Sequence, residues 1–254
     1  MNEVIKAVDL TKIYNKRDKK KREKISVNLN QVLNGVSLEV YQGDFISIMG
    51  KSGCGKTTLL KILGGIEEAT TGRAIVGDIN LSSCSDEILS DVRQKIVGFV
   101  FQEFYLVDSL TLKENILLPL YISNKPYREI ESLILENAKR FEIDKILDKY
   151  PTEVSGGEKQ RTAICRAIIN EPKIILADEP TGNLDSINSE IVIKYFERLN
   201  LEENRTILMV THDPAAAKYS SRIILLKDGQ VTADMYRHSL SNEEYLQKIY
   251  KHTR

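Results

Sequence analysis

Early in the chain, VIKAVDL and VSLEVYQG alternate apolar and polar positions well enough to predict two short strands. DFISIMG is a compact apolar run that breaks into a Gly-rich turn and continues as KTTLLKILGG, predicting a buried strand, a loop and a helix in direct succession. AIVGDINL predicts short strands around a turn at Gly77 and Asp78, and IVGFVF, residues 96–101, a buried strand. From Thr111 to Tyr150 the period becomes helical. Thr111 and Glu114 have capping-box spacing, and REIESLILENAKRFEI gathers its apolar residues on one face before Pro151. There follow KIILAD as a buried strand, INSEIVIKYFERLN as an amphipathic helix, TILMVTH as a strand, and a short helix near AAAKY. RIILLKDGQVTAD predicts a hairpin turning at Asp228 and Gly229, and Ser241 with Glu244 can cap a last helix. Strands alternating with helices predict an α/β fold around a largely parallel sheet.

A length of 254 residues suits one such domain carrying a helical insertion. Lys plus Arg and Asp plus Glu each number 36, so no global field draws the chain to nucleic acid or anionic lipid. The exception is local: KRDKKKREK, residues 16–24, is too polar to pack and is read as a solvated loop. No apolar run approaches the roughly 20 residues that span a bilayer, and MNEVIKAVDL has no signal-peptide pattern, so a cytosolic location is expected. Cys54, Cys84 and Cys165 lack metal-ligand spacing and fit ordinary thiols in a reducing compartment.

The strongest chemical signal is GKSGCGKT, Gly50 to Thr57, which matches G-x-x-x-x-G-K-[ST] between a strand and a helix. Glycines let successive amides point at phosphate oxygens, the helix N-terminus adds partial positive charge, Lys56 reaches the terminal phosphates, and Thr57 can ligate Mg²⁺. A bulky group on Cys54 would occupy phosphate space, so sensitivity to thiol reagents is expected there. Asp178 ends the strand IILAD and Glu179 follows it. Such a pair alone is usually a solvated turn, but beside a phosphate loop Asp178 can join a Mg²⁺ shell and Glu179 can polarise a water.

A second anion site arises at VSGGEKQR, where Ser155, Gly156, Gly157 and Glu158 form a capping box opening a helix. With this segment the chain resembles the ABC-type ATPases; the usual motif has Gln at Glu158 and Leu at Val154. The resemblance implies a P-loop NTPase fold of ABC type with a mainly parallel core sheet, an antiparallel β subdomain and a helical insertion. It divides the single domain into a RecA-like core with the β subdomain (about 1–102 and 166–235), a helical subdomain (about 103–165) and a C-terminal helix (about 236–254). It implies ATP and Mg²⁺ as cofactors. The nucleotide set would be Tyr14, Gly50, Lys51, Ser52, Gly53, Cys54, Gly55, Lys56, Thr57, Thr58, Gln102, Ser155, Gly156, Gly157, Glu158 and Asp185. The metal set would be Thr57, Gln102 and Asp178, and Glu179 and His212 would be catalytic. Tyr14 would stack on adenine, though a tyrosine at a strand edge reads equally well; Asp185 would cross a dimer interface and His212 would hold the γ-phosphate.

ADEPTGNLDS, the IGG of KILGGIEEATTG and VGFVFQEFYLVDSLTLKENILLPL resemble the branch serving mechanically coupled permeases, and within it the ATPases of bacitracin-export-type peptide resistance. That resemblance implies a homodimer around two ATP at the cytoplasmic face of the membrane, an integral membrane permease received near Tyr105–Leu120, a sensor histidine kinase reached through the permease, and no nucleic acid. Lipoprotein or macrolide export, cell division, and a soluble non-transport role remain as alternatives.

Overall fold

The computed structural model describes residues 2–16, 28–121 and 127–253; the basic loop expected at residues 16–24 lies almost entirely outside them. Two sheets form the framework. The first is antiparallel and contains β1 (Glu3–Lys16), β2 (Asn28–Tyr41), β4 (Thr71–Val76) and β5 (Ile79–Asn80), in the order β2-β1-β4-β5. The second contains β3 (Phe45–Met49), β6 (Val97–Val100), β7 (Ile174–Asp178), β8 (Thr206–Val210), β9 (Arg222–Lys227) and β10 (Gln230–Tyr236), in the order β10-β9-β3-β8-β7-β6. Its members run parallel except β10, which folds back on β9. The chain has an α/β architecture, with a mainly parallel core sheet and a separate antiparallel sheet, as the resemblance implies.

Strand alternation sorts the core sheet into two buried faces. Ile46, Ile48, Ile174, Leu176, Leu208 and Val210 face α1 (Lys56–Leu63), which is held between the two sheets. Phe45, Ile175, Ala177, Ile207 and Met209 face the other way, onto α6 (Ser186–Glu203) and the helices α3 (Leu112–Tyr121), α4 (Tyr127–Arg140) and α5 (Gly156–Ile168). The helical segment thus shares one apolar core with the sheet. A third cluster seats α8 (Asn242–Thr253) through Tyr245 and Ile249 on Met49, Ile223, Leu225 and Met235, with Ala217 of α7 (Pro214–Ala217) alongside. The anticipated caps form: Glu114 accepts from the Thr111 amide at 2.8 Å, and Glu244 from the Ser241 amide at 2.8 Å.

Two features depart from the pattern reading. β1 and β2 are each 14 residues long, longer than their alternation shows, and their register slips between Ala7 and Leu10 around Asp9, whose φ is +49°. Each slip moves apolar residues to the other parity, which cuts the visible alternation short. The helix α2 (Asp86–Lys95) is capped by Ser85 and buries only Leu89 and Val92, a stripe too narrow for periodicity to announce.

Candidate nucleotide site

β3 is buried along its whole length and ends at Met49, so the loop from Gly50 to Gly55 leaves a rigid strand. A Cβ on Gly50 would lie 2.1 Å from the Leu226 carbonyl oxygen, and one on Gly55, at φ +102°, 2.6 Å from that of Val32. Only glycine lets the loop press this closely on β9 and β2. Lys51, Ser52 and Gly53 are exposed at its tip, whereas Cys54 is buried in the core and its thiol is pushed up by that burial. Burial of the sulfur and the raised thiol pKa both weigh against the expected thiol sensitivity.

α1 begins at Lys56, only 5 % exposed, whose ammonium donates to the carbonyls of Gly50 at 2.9 Å and Lys51 at 3.1 Å. The Thr57 hydroxyl donates to the Asp178 carboxylate at 2.9 Å. Strand parity explains the pairing, since Asp178 follows Ile174 and Leu176 on the face of β7 that looks at α1. Burial, with Glu179 as a neighbouring negative charge, raises the Asp178 pKa against the opposing pull of Thr57, Lys61 and Lys56. Among the described residues there is no cluster of three or more His, Cys, Asp or Glu able to hold a metal alone. Two converging hard oxygens beside a phosphate loop instead fit a Mg²⁺ that keeps waters and takes phosphate oxygens as further ligands.

Because its pKa is raised on folding, Asp178 stabilises the nucleotide-free chain only below the ordinary aspartate value, and that contribution is lost as pH rises through the raised one. Asp178→Asn keeps an acceptor for Thr57 and removes the charge. Its melting temperature without nucleotide should exceed that of the parent at neutral pH, by roughly 2–4 °C for each kcal/mol recovered, and the gap should close in acid. Thermal melts across that range check this; equal melting temperatures at neutral pH refute it.

Glu179 is held with φ +44° by its own amide, which donates to the Val210 carbonyl at 2.9 Å. Its carboxylate lies 3.1 Å from Nδ1 of His212 and 4.0 Å from the Lys56 ammonium. A cleft of about 490 Å³ adjoins the Glu179–His212 pair between α6 and α7. Phosphate loop, acid pair and histidine therefore meet at the carboxyl ends of adjacent parallel strands, where open α/β sheets bind ligands.

The remaining candidates form a second group linked to the first by residues 179–188. The Asn183 side chain donates to the Gln102 carbonyl at 3.0 Å, and a Cβ on Gly182 would lie 2.8 Å from the Gln102 amide nitrogen. Asp185 caps α6 by accepting from the Asn188 amide at 2.9 Å and side chain at 2.8 Å. Asn188 in turn abuts Gly157, and Leu184 lies beside Gly156. The Ser155 box forms as expected, with the Glu158 carboxylate accepting from the Ser155 amide at 2.7 Å and hydroxyl at 2.6 Å; these bonds hold its pKa down. Glu158 is thus spent on the cap of its own helix. Among the described residues no hydrogen bond or ion pair joins Ser155–Glu158 to the phosphate loop of the same chain.

Tyr14 stands near Thr58 and donates its hydroxyl to Glu67, while Lys12 lies 5.0 Å from its ring and 3.1 Å from Glu67. Burial and that carboxylate raise the phenol's pKa. Sequence reasoning singled out Tyr14 without Lys12 and Glu67, and Gln102 without Asn183, because contacts made across the fold leave no spacing to read.

The family model described as ABC transporter matches residues 33–182. The bacitracin export ATP-binding protein BceA of Halalkalibacterium halodurans is 43% identical over 225 residues, 89% of each chain. The macrolide export ATP-binding/permease protein MacB of Syntrophobacter fumaroxidans is 42% identical over 79% of this chain and 28% of its own length. The dimeric post-hydrolysis structure of the ATP-binding cassette MJ0796 with ADP and Pi, a protein of Methanocaldococcus jannaschii, superposes with a TM-score of 0.82 at 37% identity, covering 93% of this chain and all of that one.

Proposed function

The chain belongs to the ABC transporter family as an ATP-hydrolysing subunit, and from that premise we propose that two copies close on two Mg-ATP and drive a separate membrane permease serving antimicrobial peptide resistance. The observation that carries the chemistry is the line Lys56–Glu179–His212 beside Thr57–Asp178. The amides of Gly50–Thr58 would take the phosphates of ATP, Lys56 the terminal one, and Tyr14 the adenine. Thr57, Asp178 and Gln102 would hold Mg²⁺, which neutralises phosphate charge when bound. Glu179 accepts a proton from the attacking water, and His212, bonded to its carboxylate, fixes its direction and reaches the γ-phosphate.

Among the described residues no hydrogen bond joins the second group to the phosphate loop of its own copy, so Ser155, Gly156 and Gly157 of one copy would serve the γ-phosphate bound by the other, with Asp185 crossing between them. The dimeric state of the similar MJ0796 cassette supports this arrangement. Hydrolysis would then move the segment 103–165 and with it the permease. None of the described helices is long and apolar enough to cross a membrane. By similarity to export ATP-binding subunits, the ATPase would work at the cytoplasmic face of a permease. Similarity to BceA over nine-tenths of both chains favours peptide resistance; similarity to MacB favours macrolide export as the second reading.

Extraction of tagged Glu179→Gln protein from native membranes in Mg-ATP, with mass spectrometry of its companions, tests both. A permease with a large extracellular domain, with or without a kinase, supports the first reading, and a permease of few spans the second. Ribosomes or DNA-bound proteins without any permease would overturn both.

A further inference from the structure

Two residues beyond Gln102 the backbone enters a conformation that bulky side chains seldom adopt: Phe104 has φ +58° and Tyr105 φ +47°. The carbonyls of both converge on one guanidinium, Arg166 Nη2 donating to Phe104 at 2.6 Å and Nη1 to Tyr105 at 2.5 Å. A planar fork suits this pair of acceptors, and an ammonium could not hold both in the same geometry. Arg166 lies in the last turn of α5, the helix whose first turn carries Gly156, Gly157 and Glu158, about 12–15 Å away along the axis. Partial burial lowers its pKa.

The held loop also faces outward. The Tyr105 ring meets Phe101 edge-on at 4.9 Å, Phe101 stacks on Phe99 of β6 at 4.2 Å, and Tyr105 and Arg166 line one groove of about 480 Å³. Gln102 itself has a second anchor, the bond from Asn183 to its carbonyl. Loss of Arg166 would therefore leave Gln102 near the phosphates and detach it from α5.

We propose that Arg166 is a positioning residue that ties the Gln102 loop to α5, so that a γ-phosphate sensed by Gln102 in one site moves Ser155–Gly157 in the other and couples the two ATP sites. The proposal rests on the two-copy reading above. Coupling of this kind is reciprocal and appears as cooperativity in ATP, with a Hill coefficient above one and up to about two for two sites.

The test is steady-state hydrolysis against ATP concentration, at several protein concentrations, for the full chain and its Arg166→Lys and Arg166→Ala variants, with binding of a fluorescent ATP analogue measured in parallel. The parent should be cooperative. Both variants should fall to a Hill coefficient of about one while analogue affinity stays within roughly twofold. Variants that keep the parent's Hill coefficient, or lose rate and analogue binding together, overturn the proposal and leave the two-copy reading standing. Should Arg166→Ala not fold, Arg166→Lys decides alone. A parent that is itself non-cooperative, with a rate strictly proportional to protein concentration, would overturn the two-copy reading and this proposal with it.

Discussion

Glu179→Gln is expected to keep ATP affinity and lose hydrolysis by roughly 10² to 10⁴-fold, the usual consequence of removing a general base. The amide keeps a hydrogen bond available to His212 and leaves the left-handed backbone at Glu179 undisturbed, so the loss would report proton acceptance and not misfolding. Single-turnover hydrolysis beside equilibrium binding separates the two quantities. The variant should also accumulate as an ATP-bound dimer on size exclusion, since the step that reopens it is blocked. Near-normal turnover would remove Glu179 from the catalytic role.

Gly157→Ala should act from the other side of the interface. The added Cβ would lie 2.3 Å from the Asn188 side-chain oxygen and 2.7 Å from its Cγ. Asn188 cannot swing away cheaply, because its amide and side chain are both bonded to Asp185. The start of α5 must therefore shift against α6, and Ser155 and Gly156 shift with it. A misplacement of about 1 Å at a catalytic group costs on the order of 10²-fold in rate, which is the fall expected in hydrolysis. Binding of ATP to a single copy uses its own phosphate loop, Tyr14 and metal ligands and not Gly157, and should be unchanged. If binding falls in step with the rate, Gly157 matters to the fold and not to the second anion site.

How much of this was legible in the sequence follows from the range of the interactions involved. The phosphate loop, the acid pair after β7 and the Ser155 box depend on residues close in the chain, and spacing reveals them. β1 and β2 were visible only in part, because the slip near Asp9 breaks alternation where the strand bends. α2 was hidden because two buried residues make no stripe. Asn115 looks like a polar intrusion in an apolar helix, yet it is fully buried, donating to the carbonyls of Val107, Leu110 and Thr111 and accepting from the Val107 amide. Arg166 and the Lys12–Glu67 pair are similar cases, since the partners that give them meaning lie more than fifty residues away. Cys54 shows the converse: its place in the motif suggested reactivity, and only packing reveals that its sulfur belongs to the core.

The order of strands in the core sheet has a consequence for how the protein is made. β3, which launches the phosphate loop, sits between β8 and β9, and Ile46 pairs with Leu208 and Arg222. During translation the loop leaves the ribosome about 160 residues before either neighbour of its strand, an interval on the order of ten to thirty seconds at ordinary elongation rates. Throughout that time the nascent chain carries the complete nucleotide motif without the sheet that shapes it. ATP binding is thus withheld until β8 and β9 have been made, and a product truncated before them is born inert and not as an uncoupled ATPase.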